Sequence, residues 1–380
     1  MQIRKLCCFL TERVGKLLNS FYSMTYENLC IWLRENQFAP AHAEQLFRKI
    51  YQNPHYKRKL DASLPKALRD IGQFFSLEPL PIYKEFQSRY DYTVKFVFQL
   101  HDGALVESVL MPEKGRITVC VSSQVGCAQA CSFCHTGRMG LVRNLELAEI
   151  VSQVSSCNKW IQDNPEWLEK VQLSPDKKIG NVVFMGMGEP LDNVNVVMDA
   201  VSILTNPFAL QLAPKRVTIS TAGHLDGLKT LMRESPGVSL ALSLHGTTQL
   251  ERSRLMPINR RYPINEVLNF LQKQFRQNRK KILIQYTVIK GVNDQLKHAR
   301  ALVAMLHDIP CKINLIPLNP IESSTFSAPD PEYLKEFTDI LHAAGIRSLV
   351  RFSKGQDIAA ACGQLVTQQK KKPGHVRTKA

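Results

Sequence analysis

Between residues 115 and 352 the chain repeats one pattern: a short apolar run suited to a strand, then a longer stretch with apolar residues at helical spacing. The strand candidates are Ile117–Ser122, Asn181–Met185, Arg216–Ser220, Val238–Leu244, Ile282–Ile289, Ile313–Leu318 and Ile346–Phe352. Leu145–Ile161, Leu225–Arg233, Ile264–Phe275, Gln295–His307 and Glu332–Ala344 read as helices between them. This alternation predicts an α/β fold, because parallel neighbours need a crossover long enough to hold a helix. In such a sheet, open or closed into a barrel, the loops that carry chemistry stand at the carboxyl ends of the strands.

The residues before this region follow other periods. Thr93–Leu100 alternates apolar and polar, and Ala104–Leu110 follows after the turn His101-Asp102-Gly103, so residues 86–114 read as a strand-rich connector. Tyr26–Glu35 and Ala41–Tyr51 read as short amphipathic helices of an accessory domain over residues 24–85. Arg48, Lys49, Lys57, Arg58 and Lys59 would give that domain phosphate contacts; a plain helical cap is the other reading. Met24 opens the domain, so residues 1–23 read as an extension or a misassigned start. The polar residues 163–180 read as a surface insertion, residues 115–365 as the core and residues 366–380 as a basic tail.

Charge narrows the partner. With 49 basic against 33 acidic residues the net charge is +16, which favours an anionic partner such as nucleic acid. Lys370, Lys371, Lys372, His375, Arg377 and Lys379 suit sequence-independent phosphate contact, or simply a solvated end. No run approaches the roughly 20 apolar residues of a membrane helix. Ten cysteines without a secretory signal point to a reducing, cytoplasmic setting and to thiol chemistry.

Cys127, Cys131 and Cys134 form a CxxxCxxC loop just after the first core strand. Three thiolates so close together can share one iron–sulfur cluster, which leaves one iron open to another molecule. Zinc, with His135 as fourth ligand, is the rival; zinc sites more often present separated ligand pairs. Gly186-Met187-Gly188-Glu189-Pro190 ends the second strand, where the glycines would let a ligand approach the backbone and Glu189 would accept hydrogen bonds from an ammonium. Ser220, Ser243, Leu244, His245, Asn314 and Asn319 stand at later strand ends and would line a nucleoside pocket. Taken alone, Cys120 and Cys362 read as buried core cysteines.

The CxxxCxxC loop, with Phe133 before its last cysteine and at the head of a strand–helix domain, resembles the radical S-adenosylmethionine superfamily. Gly186–Pro190 resembles that superfamily's "GGEP" segment. Val119-Cys-Val-Ser-Ser-Gln-Val-Gly-Cys127 and Asp357-Ile-Ala-Ala-Ala-Cys-Gly-Gln-Leu365 closely resemble the RlmN/Cfr family of RNA adenine methyltransferases, and the likeness extends over about residues 24–365. The resemblance implies a partial (β/α)6-type barrel and one 4Fe–4S cluster on Cys127, Cys131 and Cys134. It implies S-adenosylmethionine held near Gly188, Glu189, Ser220, Ser243, Leu244, His245 and Asn319, two molecules being used per turnover. Cys362 matches the cysteine that is methylated on sulfur, and Cys120 the cysteine that resolves the RNA adduct through a transient disulfide with it. Glu107 matches the base that removes a proton from that adduct; by residue type alone Glu113 is an equal candidate. The implied substrates are carbon 2 of an adenine in 23S rRNA and of one beside the tRNA anticodon, with an electron donor such as flavodoxin and a monomeric enzyme. The alternatives are methylation of carbon 8, as in the resistance branch, and a zinc-stabilised RNA-binding module without catalysis. His135-Thr-Gly-Arg-Met departs from the family's usual small-residue run, whereas Arg143-Asn144-Leu145 is kept.

Overall fold

The computed structural model describes residues 20–53, 64–69, 71–234, 237–278, 281–321 and 324–365. Residues 1–19 of the expected extension, Lys57, Arg58 and Lys59, and the basic tail 366–380 lie outside them. Strands are β1 (Ile82–Gln87), β2 (Val94–Gln99), β3 (Leu105–Glu113), β4 (Arg116–Cys120), β5 (Gln124–Gly126), β6 (Leu141–Asn144), β7 (Asn181–Phe184), β8 (Val217–Thr221), β9 (Ser239–Ser243), β10 (Ile282–Val288), β11 (Cys311–Pro317) and β12 (Ser348–Val350). Helices are α1 (Tyr26–Glu35), α2 (His42–Gln52), α3 (Lys66–Arg69), α4 (His135–Met139), α5 (Leu147–Asp163), α6 (Pro165–Lys170), α7 (Val194–Thr205), α8 (Leu225–Glu234), α9 (Gln249–Leu255), α10 (Ile264–Asn278), α11 (Leu296–Leu306) and α12 (Pro331–Ala343).

One ten-stranded sheet orders its strands β1-β2-β3-β4-β7-β8-β9-β10-β11-β12. From β4 to β12 every pairing is parallel, and each crossover carries at least one helix. This is the parallel α/β sheet that the alternation predicts, with seven parallel strands and six helical crossovers, as the partial (β/α)6-type barrel of the resemblance implies. In β10 the alternate residues Ile282, Ile284, Tyr286 and Val288 share one face and are all within 1% of full burial, while Leu283, Gln285 and Thr287 on the other face line the interior cavities. Residues 86–114 are more than a connector. β1, β2 and β3 pair antiparallel with one another and then with β4, and so extend the main sheet.

The helical module begins before Met24. Ser20 bridges Ser76, and Phe21 is fully buried among Phe47, Tyr51 and Phe75. The Thr25 side chain caps α1 by accepting from the Asn28 N–H (3.2 Å), satisfying one of the donors a helix start leaves open. The module seats on the core through Phe208: Tyr26 packs on its ring and Arg48 lies 4.9 Å over it. Arg48 also pairs with Glu44, so it contributes to docking.

The 163–180 stretch is not wholly a surface insertion. Its Pro165 starts α6, whose Trp167 is 1% exposed, packs edge-on against Trp160 and donates to the Tyr92 carbonyl (3.0 Å). Among the described residues no helix is long and apolar enough to cross a membrane.

Candidate active site

β4 ends at Cys120, and the chain then crosses the carboxyl edge of the sheet as a small antiparallel ribbon, β5 with β6, that brackets the three cysteines. Its geometry depends on two glycines. A Cβ on Gly126 (φ +77°) would lie 1.9 Å from the Gly140 carbonyl oxygen, and one on Gly137 would meet the Cys131 backbone at 2.9 Å. Beneath the ribbon Ser122 acts as a hub. Its hydroxyl donates to the Glu107 carbonyl (2.6 Å) and accepts from the Met187 N–H (2.9 Å), while Gln153 of α5 clamps its backbone N–H and C=O. β3, β7 and α5 therefore meet under the cysteine loop.

Cys127, Cys131 and Cys134 face one cavity of about 130 Å³, together with Gly188, Glu189 and His245. Burial pushes all three thiols up, Cys127 to about 12, and for Cys131 the charges of the other two add to the shift. Among the described residues no three His, Cys, Asp or Glu side chains gather closely enough for a single ion. Three thiols around a shared space suit a polynuclear cluster better than one tetrahedral zinc, and the donor set fits.

Ser220, Ser243, His245 and Asn319 line the same cavity, with Thr221, Thr287 and Leu318 among their neighbours. Leu244 does not: its side chain is fully buried, and its carbonyl accepts from Arg252. Gly186 and Gly188 line this cavity, and they also have a packing role on their other side. A Cβ on Gly186 would sit 2.7 Å from Val121 O and Ser122 Oγ, and one on Gly188 2.6 Å from the Gln124 side chain. They make room for the protein's own cysteine ribbon. Glu189 is 3% exposed, and its two carboxylate oxygens accept from the Leu191 (3.0 Å) and Ala222 (2.7 Å) N–H groups. Burial outweighs those hydrogen bonds and raises its carboxyl to about 7. An arriving ammonium would favour the ionised form.

His245 stays neutral. Burial and nearby Arg252 lower it to about 3, and its Nδ1 accepts from the Thr287 N–H (2.8 Å), so the proton resides on Nε2. The ring lies edge-on to Phe133 at 4.9 Å. Arg252 escaped the sequence reading, since nothing in Gln249–Leu255 marks it as buried. Its guanidinium is 0% exposed and binds the carbonyls of Ala222, Leu244 (3.0 Å) and Ser243 (3.2 Å) and the Asn259 side chain (2.8 Å). It joins the ends of β8 and β9 and lends positive charge to Cys131. Arg252→Leu is expected to destabilise the fold by about 3 kcal/mol or more, through carbonyls left buried without donors; a urea midpoint within error of the parent would contradict this.

A second cavity, of about 390 Å³, fills the barrel interior. Cys120 and Cys362 both line it, and Cys362 also lines the cysteine cavity. Cys362 is exposed as a residue, yet desolvation of its sulfur, then the neighbouring Cys134, push the thiol up to about 11. Burial and then the proximity of Cys362 push Cys120 up to about 12. The Cys362 loop is fixed from several directions. His135 N–H donates to Gly363 O (2.7 Å), Thr136 Oγ1 to Leu365 O (2.7 Å) and Asn319 Nδ2 to Cys362 O (2.9 Å). Asn319 therefore also holds the cysteine loop, a contact between residues 43 apart that no local pattern reveals.

Glu107 is 3% exposed on β3, the strand whose Val109 and Met111 line the larger cavity, but it does not itself line it. Lys95 Nζ lies 3.2 Å from its carboxylate and donates to Ala359 O (3.3 Å), which ties Glu107 to the Cys362 loop. Glu113 lines the cavity at its far mouth, paired with Arg351 (3.0 Å) and Arg116. Lys215, Arg216 and Lys354 join Arg116 and Arg351 there, a cationic rim at the end of the barrel remote from the cluster loop.

Residues 121–303 match the model of the Radical SAM superfamily. The chain is 36% identical over 346 residues to the probable dual-specificity RNA methyltransferase RlmN 2 of Protochlamydia amoebophila, covering 91% of this chain and 94% of that relative. It is 43% identical over 309 residues to the dual-specificity RNA methyltransferase RlmN of Desulfotalea psychrophila, covering 80% and 83%. Its fold is similar to the crystal structure of a radical SAM methyltransferase from Sphaerobacter thermophilus, with a TM-score of 0.83, 38% identity and coverage of 91% and 98%.

Proposed function

The chain belongs to the RlmN family of dual-specificity RNA methyltransferases, within the radical SAM superfamily, and from that membership we propose how its own residues divide the work. The enzyme methylates carbon 2 of an adenine in 23S rRNA and in tRNA beside the anticodon. Cys127, Cys131 and Cys134 hold the cluster, and Glu189, Ser220, Ser243, His245 and Asn319 surround S-adenosylmethionine. Bound there, cluster and S-adenosylmethionine would supply one-electron chemistry able to take a hydrogen atom from a methyl group on Cys362.

One observation carries the reading: Cys362 is shared by the cavity of the three cysteines and the cavity of Cys120. A methyl group on its sulfur stands between radical source and base. Carbon 2 of adenine is electron-poor and does not act as a nucleophile toward a methyl cation equivalent, so a carbon radical delivered from Cys362 solves a problem that polar transfer does not. The base enters the larger cavity past the cationic rim of Arg116, Lys215, Arg216, Arg351 and Lys354, whose charges suit flanking phosphates. Glu107, held beside the Cys362 loop by Lys95, would take the proton from the radical adduct as its one unpaired electron passes back to the oxidised cluster that the three cysteines would hold. Cys120, deprotonated, then attacks the Cys362 sulfur: an S–S bond forms, the bond from that sulfur to the new methyl carbon breaks, and its electron pair stays with the product and takes up a proton to complete the methyl group. The disulfide is reduced before the next round.

Mass spectrometry of rRNA and tRNA digests from cells with and without the gene tests the assignment. The expected result is 2-methyladenosine, in both RNAs, that disappears with the gene; 8-methyladenosine would overturn the choice of carbon.

A further inference from the structure

A groove of about 710 Å³ lies on the outer side of the cysteine loop, separate from both cavities of the active site. Ser132, Leu250, Glu251, Arg254, Lys297 and Phe326 line it. Ser132 stands between Cys131 and Cys134, and its N–H donates to Leu255 O (3.0 Å) at the end of α9, so the groove wall is the back of the cluster loop itself. Leu250 is 65% exposed, an uncovered apolar side chain on the rim. Arg254, Lys297 and Arg138 are exposed around it, and Arg138 is tied to the Ser132 carbonyl (3.2 Å). The one acidic member is already engaged: Glu251 accepts from Thr247 N–H (2.6 Å) and faces His298 at 3.3 Å. Arg254 and Lys297 have no carboxylate partner among the described residues. The groove is thus an apolar patch with a positive rim, set against the loop that holds the redox centre.

We propose that this groove docks the protein that delivers the electron, a one-electron carrier with an acidic face around its redox group. The proposal rests on the function above, because the radical step consumes one electron per S-adenosylmethionine cleaved. That electron would leave the carrier, whose redox group is oxidised by one electron, for the cluster that the three cysteines would hold. Electron transfer falls off steeply with distance, so the carrier must sit where the cluster loop reaches the surface without blocking the RNA route. The cationic rim suited to RNA lies at the opposite end of the barrel. The apolar wall and internally satisfied Glu251 favour a protein partner over RNA here, with rim charges steering encounter and Leu250 as the anchor.

The test uses the cluster-loaded full chain and a bacterial flavodoxin as probe. The variants are the Arg254→Glu, Lys297→Glu pair and, separately, Leu250→Asp. Each is expected to weaken flavodoxin binding by calorimetry by roughly tenfold or more, with a strong salt dependence in the parent. Flavodoxin-driven formation of 5′-deoxyadenosine should slow by a similar factor, and dithionite-driven formation should not change. Unchanged flavodoxin affinity in both variants would overturn the proposal, as would a loss confined to RNA binding. Parent enzyme that forms no 5′-deoxyadenosine even with dithionite would instead refute the radical function, while the binding measurement still decides the groove.

Discussion

Cys362→Ala is expected to abolish methylation of RNA while leaving about four irons per chain and an undisturbed fold. No cluster ligand is removed: the loop is held through its backbone carbonyls, by His135 N–H to Gly363 O and the Asn319 side chain to the residue-362 carbonyl, and an alanine keeps both. Only the sulfur is lost. If that sulfur carries the methyl group, no lesser route remains, and the fall should reach roughly four orders of magnitude or more, as for other essential nucleophiles. Reductive cleavage of S-adenosylmethionine should continue, uncoupled from RNA. Residual methylation at a few per cent of the parent would mean that carbon reaches the base without Cys362.

Cys120→Ala should behave differently, although the two thiols share a cavity. Methyl loading of Cys362 and addition to the base do not need Cys120. Its removal blocks the last step, so a covalent RNA–protein adduct should accumulate to about one per enzyme, visible as a band that resists denaturant and disappears with ribonuclease. Free methylated RNA should fall by roughly a hundredfold or more. Burial pushes the Cys120 thiol up, so release needs the proton removed in place, and it should quicken as pH rises. Normal turnover without an adduct would remove Cys120 from the mechanism.

Much of this was legible in the chain. The seven parallel strands follow their apolar runs closely, because a strand buried on both faces has little freedom in composition. α7 was harder to see: Val194-Asn-Val-Val-Met-Asp-Ala-Val-Ser-Ile-Leu-Thr205 is rich in β-branched residues and mixes strand and helix signals, and packing against α5 and α8 decides it. Trp167 lay hidden in a polar stretch because its burial depends on Trp160 and Tyr92, neither of which a local pattern links to it. Local motifs located the cysteine loop and Glu189. They gave no sign that Gly186 and Gly188, besides lining the cavity, also make room for Val121, Ser122 and Gln124. Arg252 and the Asn319–Cys362 bond were invisible for one reason: each joins strand ends or loops that meet only in the folded sheet.

The central claim is that the methyl group reaches RNA through Cys362 and loses one hydrogen atom to the radical on the way. Repeated turnover with S-adenosylmethionine deuterated in its methyl group tests this directly. The account predicts that the new methyl group on adenine keeps two deuteriums and gains one hydrogen, while 5′-deoxyadenosine acquires one deuterium. A methyl group transferred with all three deuteriums, and 5′-deoxyadenosine without any, would contradict it.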